Sequence, residues 1–224
     1  FLFRAQSIEI IPRTVPMPTR LYHITDVSNL ASILSNGGLG CTKWMQSTAT
    51  AFKCAAHESI QNRRSKRLVT CGPCGTLHDY VPFYFGPRSP MLYSIKQGNV
   101  VGYTTGQNTI IYLVTTAQVI DQAGKRWVFT DGHGIMNVTE FYDDLGMLGT
   151  IDWNVMSAKY WNETEEDPDR PRRRQAEFLI HDFCDWELIK GIGVNTLRMK
   201  KIVEDLIATA AHRPVVKVKS EWYY

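Results

Sequence analysis

Two parts of the sequence carry residue types that could bind a ligand and act on it. In residues 77–92, aromatic residues, prolines and Arg88 alternate too densely for an ordinary strand, a pattern that indicates a floor for a flat ligand. Glu177 follows a basic run at residues 170–174 and precedes an apolar stretch, so its carboxylate could lie at a pocket rim beside positive charge. From these residues alone, the simpler interpretation is a solvent-facing glutamate on an edge strand.

Other side chains could hold a ligand close to these two parts. His23 lies at the end of a predicted strand, where its ring is either a core histidine bonded to backbone or a contact for a sugar hydroxyl. Arg63 and Arg64 end a predicted helix and can face a pyrophosphate or a DNA backbone, although most charge runs are solvated surfaces. Tyr84 alternates with two phenylalanines, which predicts that they face the core while Tyr84 faces a ligand or a neighbouring side chain.

The cysteines allow two further interpretations. Cys71 and Cys74 have the spacing of a redox motif, but no strand and helix of a thioredoxin fold surround them, and we expect no redox catalysis. Together with Cys54 and His57 they have a spacing compatible with tetrahedral zinc, which would clip a loop in place. Purified protein without stoichiometric metal would exclude this site.

Length and composition predict a single domain over residues 1–224, with residues 1–18 as a peripheral segment. The chain has 224 residues with 44% hydrophobic content, enough for one well-buried core. The net charge of +3 is too small to indicate a nucleic-acid binder by itself. No run reaches the roughly 20 apolar residues of a membrane helix, so we expect a soluble protein without a membrane partner. Five cysteines, an odd number, favour a reducing compartment and a cytoplasmic location.

The periodicity of the apolar residues predicts short strands mixed with helices, typical of an α+β domain. The predicted strands cover residues 21–24, 110–114, 128–130, 178–180, 189–194 and 215–219. The predicted helices cover residues 25–38, 49–64, 117–123, 152–161 and 196–211, with a turn at 131–134 and a loop at 163–174. In the last helix, the apolar residues expected on one face are Met199, Ile202, Val203, Leu206, Ile207 and Ala210.

Four motifs together resemble one known family. They are Tyr-His-Ile-Thr at residues 22–25, the aromatic segment 77–92, Arg-Gln-Ala-Glu-Phe-Leu at 174–179, and the final Trp-Tyr-Tyr at 222–224. In this order, from about residue 21 to residue 224, they resemble the DarT family, bacterial toxins that transfer ADP-ribose from NAD onto bases of single-stranded DNA. The resemblance implies an ADP-ribosyltransferase fold with a split central β-sheet and flanking helices.

The resemblance also implies a role for individual side chains. Glu177 matches the family's catalytic glutamate, and Arg64 matches its essential arginine, with a shift to Arg63 left open. The residues implied for NAD binding are His23, Thr25, Asn29, Arg64 and Tyr84. The residues implied or suggested for DNA contact are Arg88, His133, Arg172, Arg173 and Arg174. The family does not require metal, so zinc at Cys54, His57, Cys71 and Cys74 is the less favoured interpretation.

The implied function is NAD-dependent mono-ADP-ribosylation of a DNA base with release of nicotinamide, and thymidine is favoured over guanosine. The implied partners are NAD, single-stranded DNA and a DarG-like macrodomain antitoxin that removes the modification. Alternative functions are transfer to RNA or protein and hydrolysis of NAD. From another class, a non-catalytic nucleic-acid-binding module with a zinc clip is also compatible with the cysteines and basic runs.

Overall fold

Ten β-strands and eight α-helices form within the residues that the computed structural model describes, which are 14–53, 58–101, 103 and 106–224. The strands are β1 (Arg20–Asp26), β2 (Gly38–Gly40), β3 (Tyr80–Tyr84), β4 (Ile110–Thr116), β5 (Trp127–His133), β6 (Phe141–Tyr142), β7 (Ala176–His181), β8 (Phe183–Asp185), β9 (Gly191–Val194) and β10 (Val215–Val218). The helices are α1 (Leu30–Ser35), α2 (Thr42–Ser47), α3 (Glu58–Arg64), α4 (Pro90–Lys96), α5 (Ala117–Gln122), α6 (Trp153–Ser157), α7 (Arg170–Arg173) and α8 (Leu197–Ile207).

Eight strands form one large sheet in the order β10-β9-β4-β1-β3-β7-β5-β6, and β2 pairs separately with β8. All neighbours in the large sheet are antiparallel except β9 and β10, which are parallel. β1 pairs with β4 along its whole length, but its register with β3 contains one pair, Tyr22 with Tyr84. The sheet is therefore nearly split between β1 and β3, and the split opens beside His23 and Tyr84.

An aromatic core lies against one face of β3, β5 and β7. Phe85 contacts Phe129, Trp153 and Phe178 edge-on, with ring centroids 6.0, 5.7 and 6.2 Å apart. Side chains alternate between the two faces of a strand, so this packing leaves Tyr84 on the opposite face. The predicted alternation, with Phe83 and Phe85 facing the core and Tyr84 on the other face, agrees with the structure.

The last three residues are packed into the fold. Tyr223 is buried, and its hydroxyl donates to the carbonyl oxygen of Ile110 at 2.9 Å. The carbonyl oxygen of Trp222 accepts from the hydroxyl of Tyr112 at 2.8 Å, and the rings of Trp222 and Tyr22 meet edge-on at 5.1 Å. These contacts attach the C-terminal residues to β1 and β4 at the edge of the split.

The turn predicted at residues 131–134 is wrong, because β5 continues to His133. Its register with β7 shifts between Phe129 and His133, since Phe129 lies opposite Phe178 and His133 lies opposite Ala176. Three residues of β5 thus lie opposite Glu177 alone. Asp-Gly-His-Gly is typical of a turn, but here the extra residues form a β-bulge within the strand.

The structure differs from the predictions for three further segments. The helix predicted at 152–161 is α6 alone, because Ala158 leaves the helical conformation. The loop predicted at 163–174 contains the short helix α7. In α8, Met199, Val203 and Ile207 are buried, but Ile202 and Leu206 are 38% and 39% exposed, so the buried face is narrower than predicted.

The helix predicted at 49–64 is wrong for residues 49–53, which are not helical, and its residues 58–64 form α3. Residues 54–57 lie outside the described residues. Among the described residues, every helix is too short or too polar to cross a membrane.

Candidate active site

A cavity of about 310 Å³ lies beside the split in the sheet, within the size range of small-molecule sites. Strands β1, β3, β5 and β7 and helices α3 and α4 all contribute to its walls. The sequence-predicted residues that line it are His23, Thr25, Asn29, Arg64, Tyr84, His133 and Glu177. Residues spread over 155 positions of sequence, from His23 to Glu177, are thus brought into one site.

Glu177 and Arg64 form a buried ion pair in this cavity. The Nη1 atom of Arg64 lies 2.9 Å from Oε1 and 2.8 Å from Oε2 of Glu177, and the two residues are 8% and 2% exposed. The Nη2 atom of Arg64 is buried without a hydrogen-bond partner among the described residues. Arg63 instead reaches the carbonyl oxygen of Ile135 at 3.5 Å. The geometry therefore places Arg64, and not Arg63, against the carboxylate.

The hydroxyl of Thr130 holds the backbone of Glu177. Thr130 is fully buried in the β5 bulge, where its Oγ1 accepts from the Glu177 amide at 3.0 Å and donates to the Gly132 carbonyl at 2.7 Å. In a regular ladder the Glu177 amide would bond a backbone carbonyl of β5. At the bulge, the Thr130 hydroxyl supplies that hydrogen-bond partner instead. Sequence reasoning did not assign Thr130 a role, because a buried threonine on a strand is ordinary.

Tyr84 and His133 approach the same carboxylate from neighbouring strands. Tyr84 lies opposite Glu177 in the register of β3 and β7. Burial, and then the negative charge of Glu177, raises the pKa of the Tyr84 phenol, which is therefore protonated at neutral pH. Burial lowers the pKa of His133, although the Glu177 carboxylate opposes this shift. Both side chains are thus neutral hydrogen-bonding groups beside a charged pair.

His23 has a defined neutral tautomer. Its Nδ1 lies 2.8 Å from the carbonyl oxygen of Pro82, which can only accept, so Nδ1 carries the proton. Burial lowers the pKa of the ring, and Nε2 is left as a hydrogen-bond acceptor. The His23 and Phe83 rings pack 5.4 Å apart, which fixes the orientation of the imidazole.

Thr25 and Asn29 lie in the cavity wall and bond to each other. Asn29 Nδ2 donates to Thr25 Oγ1 and to the carbonyl oxygen of Lys53, each at 3.0 Å, and Asn29 Oδ1 accepts from the Lys53 amide at 2.8 Å. Lys53 also bonds Asp26 at 2.8 Å. The Asn29 amide is therefore occupied in holding the segment at Lys53 against β1, a structural role that its sequence position did not reveal.

Comparison with known proteins assigns this site to a family. The family model described as ssDNA thymidine ADP-ribosyltransferase, DarT, matches residues 22–224. The chain belongs to the DarT family. A DNA ADP-ribosyl transferase from Thermus sp. (strain 2.9) is 40% identical over 214 residues, which are 95% of this chain and 99% of that protein. The resemblance predicted from the four motifs is confirmed.

Solved structures of DarT from Thermus sp. 2.9 share the fold. The complex with ADP-ribosylated ssDNA has a TM-score of 0.90 at 38% identity, covering 96% of this chain and all of that one. The complex with NAD+ has a TM-score of 0.82 at 37% identity, covering 94% of this chain and all of that one. These matches confirm the predicted fold. A fusion of a DNA ADP-ribosyl transferase and a DNA ADP-ribosyl glycohydrolase from Thermosipho africanus is 27% identical over 80% of this chain and 43% of its own length.

In this DarT-family chain, Arg172 and Arg173 are paired with acidic residues. Arg172 bonds Asp131 at 3.0 Å and Asp169 at 2.8 Å. Arg173 pairs with Asp152 and Asp167. DNA contact by these two arginines stays a prediction, and their charge is already balanced by neighbouring carboxylates.

Arg174 is buried among backbone carbonyls. Its guanidinium donates to the carbonyl oxygens of Val155, Met156 and Pro87, and burial lowers its pKa to about 10. A side-chain carbon added at Gly86 would lie 2.8 Å from the Met156 carbonyl oxygen, so glycine permits this close approach. Arg174 thus joins α6 to the turn that follows β3 and is enclosed between them. Its predicted DNA contact is untested, and the geometry gives it a structural role instead.

Arg88 lies at the rim of the site, where the chain passes from β3 to α4. Its guanidinium carbon is 4.7 Å from the centre of the Tyr224 ring. The next residue, Ser89, caps α4 by accepting from the Leu92 amide at 3.2 Å. The DNA contact predicted for Arg88 is compatible with this position.

The suggested zinc ligands are only partly within the described structure. Cys71 and Cys74 are free thiols, and burial raises the pKa of Cys71 to about 11. Cys54 and His57 lie outside the described residues. The zinc clip therefore remains untested.

Proposed function

We propose that this protein is an NAD-dependent ADP-ribosyltransferase that attaches ADP-ribose to thymidine in single-stranded DNA and releases nicotinamide. The observation that carries the proposal is the buried pair of Glu177 and Arg64 in the cavity of a DarT-family chain. The complexes of the Thermus relative with NAD+ and with ADP-ribosylated ssDNA support both substrates. The activity class predicted from sequence is the one that the family has.

The reaction breaks the bond between the ribose C1′ and the nicotinamide nitrogen, and nicotinamide leaves with the bonding electrons. Positive charge then develops on the ribose, as in glycoside hydrolysis. The Glu177 carboxylate would bind a ribose hydroxyl and stabilise this charge. Removal of one such preorganised group typically lowers the rate by roughly 100 to 1,000-fold.

The acceptor is the ring N–H of thymine, whose nitrogen forms the new bond to C1′. Its proton must leave as that bond forms, and Glu177 is the one carboxylate among the described residues that line the cavity. We assign this second role to the same carboxylate, with Arg64 holding its orientation through Nη1. One carboxylate would thus act on both substrates in turn.

The remaining cavity residues would bind the donor. His23 offers Nε2 as an acceptor to a ribose hydroxyl, and the buried Nη2 of Arg64 can donate to a ligand oxygen. Tyr84 presents its ring from the face opposite the core, where it can stack on nicotinamide. Thr25 contributes to the wall beside His23, and Asn29 holds that wall in shape.

The test is mass spectrometry of single-stranded oligonucleotides incubated with NAD and the protein. Four oligonucleotides of one length would have the same sequence except at one position, which carries a different base in each. An RNA strand would serve as an alternative acceptor. The proposal predicts one added ADP-ribose on the thymidine strand and none with Glu177→Gln. An adduct confined to guanosine or RNA, or NAD consumption without any adduct, would contradict it.

Two further parts of the proposal concern the setting of the activity. We place the protein in the cytoplasm, where NAD and single-stranded DNA are both present. The modification calls for an enzyme that reverses it, and a macrodomain antitoxin fits this requirement, as the transferase–glycohydrolase fusion from Thermosipho africanus suggests. Co-purification of the chain with the product of a neighbouring macrodomain gene would test the pairing.

A further inference from the structure

We propose that Tyr224 presents Arg88 as a contact for a backbone phosphate of the single-stranded DNA substrate. The proposal rests on the proposed function and specifies how the substrate strand is held beside the target base. Arg88 would bind the phosphate, and Tyr224 would act as a positioning residue through Arg88.

Arg88 has a backbone conformation that is uncommon for its residue type. Its φ is +60°, in the left-handed region that side chains other than glycine rarely adopt. Such strain persists only where the surrounding contacts impose it, and it is often found at ligand-binding positions. Glycine or asparagine would adopt this conformation more easily. An arginine at this position therefore indicates that its side chain has a function.

Three hydrogen bonds impose this conformation. The Arg88 amide donates to the hydroxyl of Tyr112 at 3.2 Å, and the Arg88 carbonyl accepts from the hydroxyl of Tyr224. The preceding carbonyl, of Pro87, accepts from the buried guanidinium of Arg174. The turn that carries Arg88 is thus fixed on both sides by buried or half-buried groups.

Tyr224 is itself fixed. Gln107 bonds its backbone amide and carbonyl, and the indole nitrogen of Trp161 donates to its hydroxyl at 2.8 Å. Tyr93 contacts its ring edge-on at 5.1 Å. The Tyr224 ring is therefore a rigid support for the Arg88 guanidinium, 4.7 Å above it.

The Arg88 guanidinium forms no ion pair with a described residue, in contrast to Arg172 and Arg173 on α7. It is half-buried, and its Nε lacks a hydrogen-bond partner among the described residues. A positive charge that is held in one place and not balanced locally suits an anion from solution. A phosphodiester matches the planar donor pattern of a guanidinium.

The position of Arg88 fits a strand whose base enters the cavity. Tyr84, four residues earlier, lines the cavity, and so do Pro90 and Met91, the first two residues of α4. Arg88 lies between these wall residues. A phosphate adjacent to a nucleotide at the cavity mouth would therefore pass close to the Arg88 turn, whereas NAD would occupy the interior.

The test is the salt dependence of KM for a thymidine-containing oligonucleotide. Arg88→Gln should raise KM for DNA about tenfold, the factor expected for one charge-assisted hydrogen bond, while KM for NAD changes less than about twofold. The slope of log KM against log salt concentration should fall by about 0.7, the value for one phosphate contact on a single strand. Arg88→Lys, which keeps the charge, should retain the wild-type slope.

Tyr224→Phe tests the positioning role, because it keeps the ring and removes the hydroxyl that bonds Arg88. It should raise KM for DNA several-fold in the wild-type background and have no further effect when combined with Arg88→Gln. An equal effect in both backgrounds would overturn the positioning role. Thermal melts of all variants would show that they are folded.

The control is Arg198→Gln, which removes the same charge from an exposed position on α8. It should leave KM for DNA and its salt slope at wild-type values, and an effect equal to that of Arg88→Gln would overturn the proposal. If the wild-type protein modifies DNA but Arg88→Gln leaves KM for DNA and its salt slope unchanged, this inference is rejected and the proposed function stands. Absence of transfer by the wild-type protein would reject the proposed function as well.

Discussion

The Nη1 atom of Arg64 lies within hydrogen-bond distance of both carboxylate oxygens of Glu177, and both side chains are buried. The two residues are 113 positions apart in the sequence, Arg64 at the end of α3 and Glu177 in β7. A buried carboxylate needs a compensating charge, and a catalytic carboxylate needs a fixed orientation. Arg64 meets both requirements, which links the stability of the site to its chemistry.

Breaking this pair should destabilise the protein. Glu177→Leu leaves a buried guanidinium without its counter-charge, and we expect a loss of about 3 kcal/mol in the free energy of unfolding, measured by urea denaturation. Arg64→Met should have a similar cost. The double variant should be more stable than either single variant, because no unpaired charge remains.

A surface pair provides the comparison for that series. Lys43 and Asp79 lie 2.7 Å apart, with side chains 52% and 21% exposed. Lys43→Met should cost less than about 1 kcal/mol. Equal costs for Lys43→Met and Arg64→Met would refute the view that burial makes the Arg64 pair important.

The Thr130 hydroxyl should affect catalysis through the position of Glu177. Thr130→Val keeps the volume but removes the partner of the Glu177 amide, and a displacement of the carboxylate by about 1 Å can cost about 100-fold in rate. We expect kcat to fall by about that factor while KM for NAD changes little. Thr130→Ser should retain most of kcat, since it keeps the hydroxyl.

A second pair of variants isolates the hydroxyl if Thr130→Val is poorly folded. Thr130→Ala and Thr130→Ser both lack the methyl group and differ in the hydroxyl alone. Equal kcat values for these two variants would disprove the role of the hydroxyl in positioning Glu177.

Arg174 should be important for folding. Arg174→Met removes the donors that satisfy the carbonyl oxygens of Val155, Met156 and Pro87, and each buried acceptor without a partner costs about 1 kcal/mol or more. We expect a loss of about 3 kcal/mol in urea denaturation. Arg126→Met, at an exposed position, is the control and should be nearly neutral. Wild-type stability of Arg174→Met would contradict the assigned role.

Acidification should destabilise the protein through His23 and His133. Burial lowers the pKa of both rings in the folded state below the value of about 6.5 that they have when unfolded. The unfolded chain therefore binds more protons below that pH, and stability is lost as pH falls from about 6.5 through the folded-state values. For His133, the Glu177 charge reduces the shift, while Arg64 and Arg63 add to it.

Thermal melting between pH 8 and pH 5.5 measures this effect. His133→Gln should show a weaker dependence on pH than the wild-type protein, since one titrating group is removed. An unchanged dependence in His133→Gln would show that His133 does not contribute.

Motifs made the centre of the site predictable from sequence. Glu177, Arg64, His23 and Tyr84 were placed by their resemblance to family motifs, and the structure brings them into one cavity. Local patterns alone favoured a solvent-exposed or purely structural side chain at most of these four positions. The reason is that sequence does not show which strands become neighbours.

The missed features depend on contacts between distant segments. The bulge at residues 130–132 overlaps a sequence typical of a turn, but the Thr130 hydroxyl and pairing with β7 keep the segment in the strand. The run at 170–174 looked like one basic surface, but its members differ: Arg172 and Arg173 pair with acidic residues, whereas Arg174 is buried among carbonyls. Charge in a sequence does not reveal whether its partner is a carboxylate, a carbonyl or solvent.

The most direct measurement is tandem mass spectrometry of a single-stranded oligonucleotide with one thymidine, incubated with NAD and the wild-type protein, beside the same oligonucleotide carrying N3-methylthymidine. We expect one ADP-ribose on the unmodified thymine, none on the N3-methylated thymine, and none with Glu177→Gln. An adduct on the N3-methylated strand would contradict attack by the ring N–H. Undiminished transfer by Glu177→Gln would contradict the central role of this carboxylate.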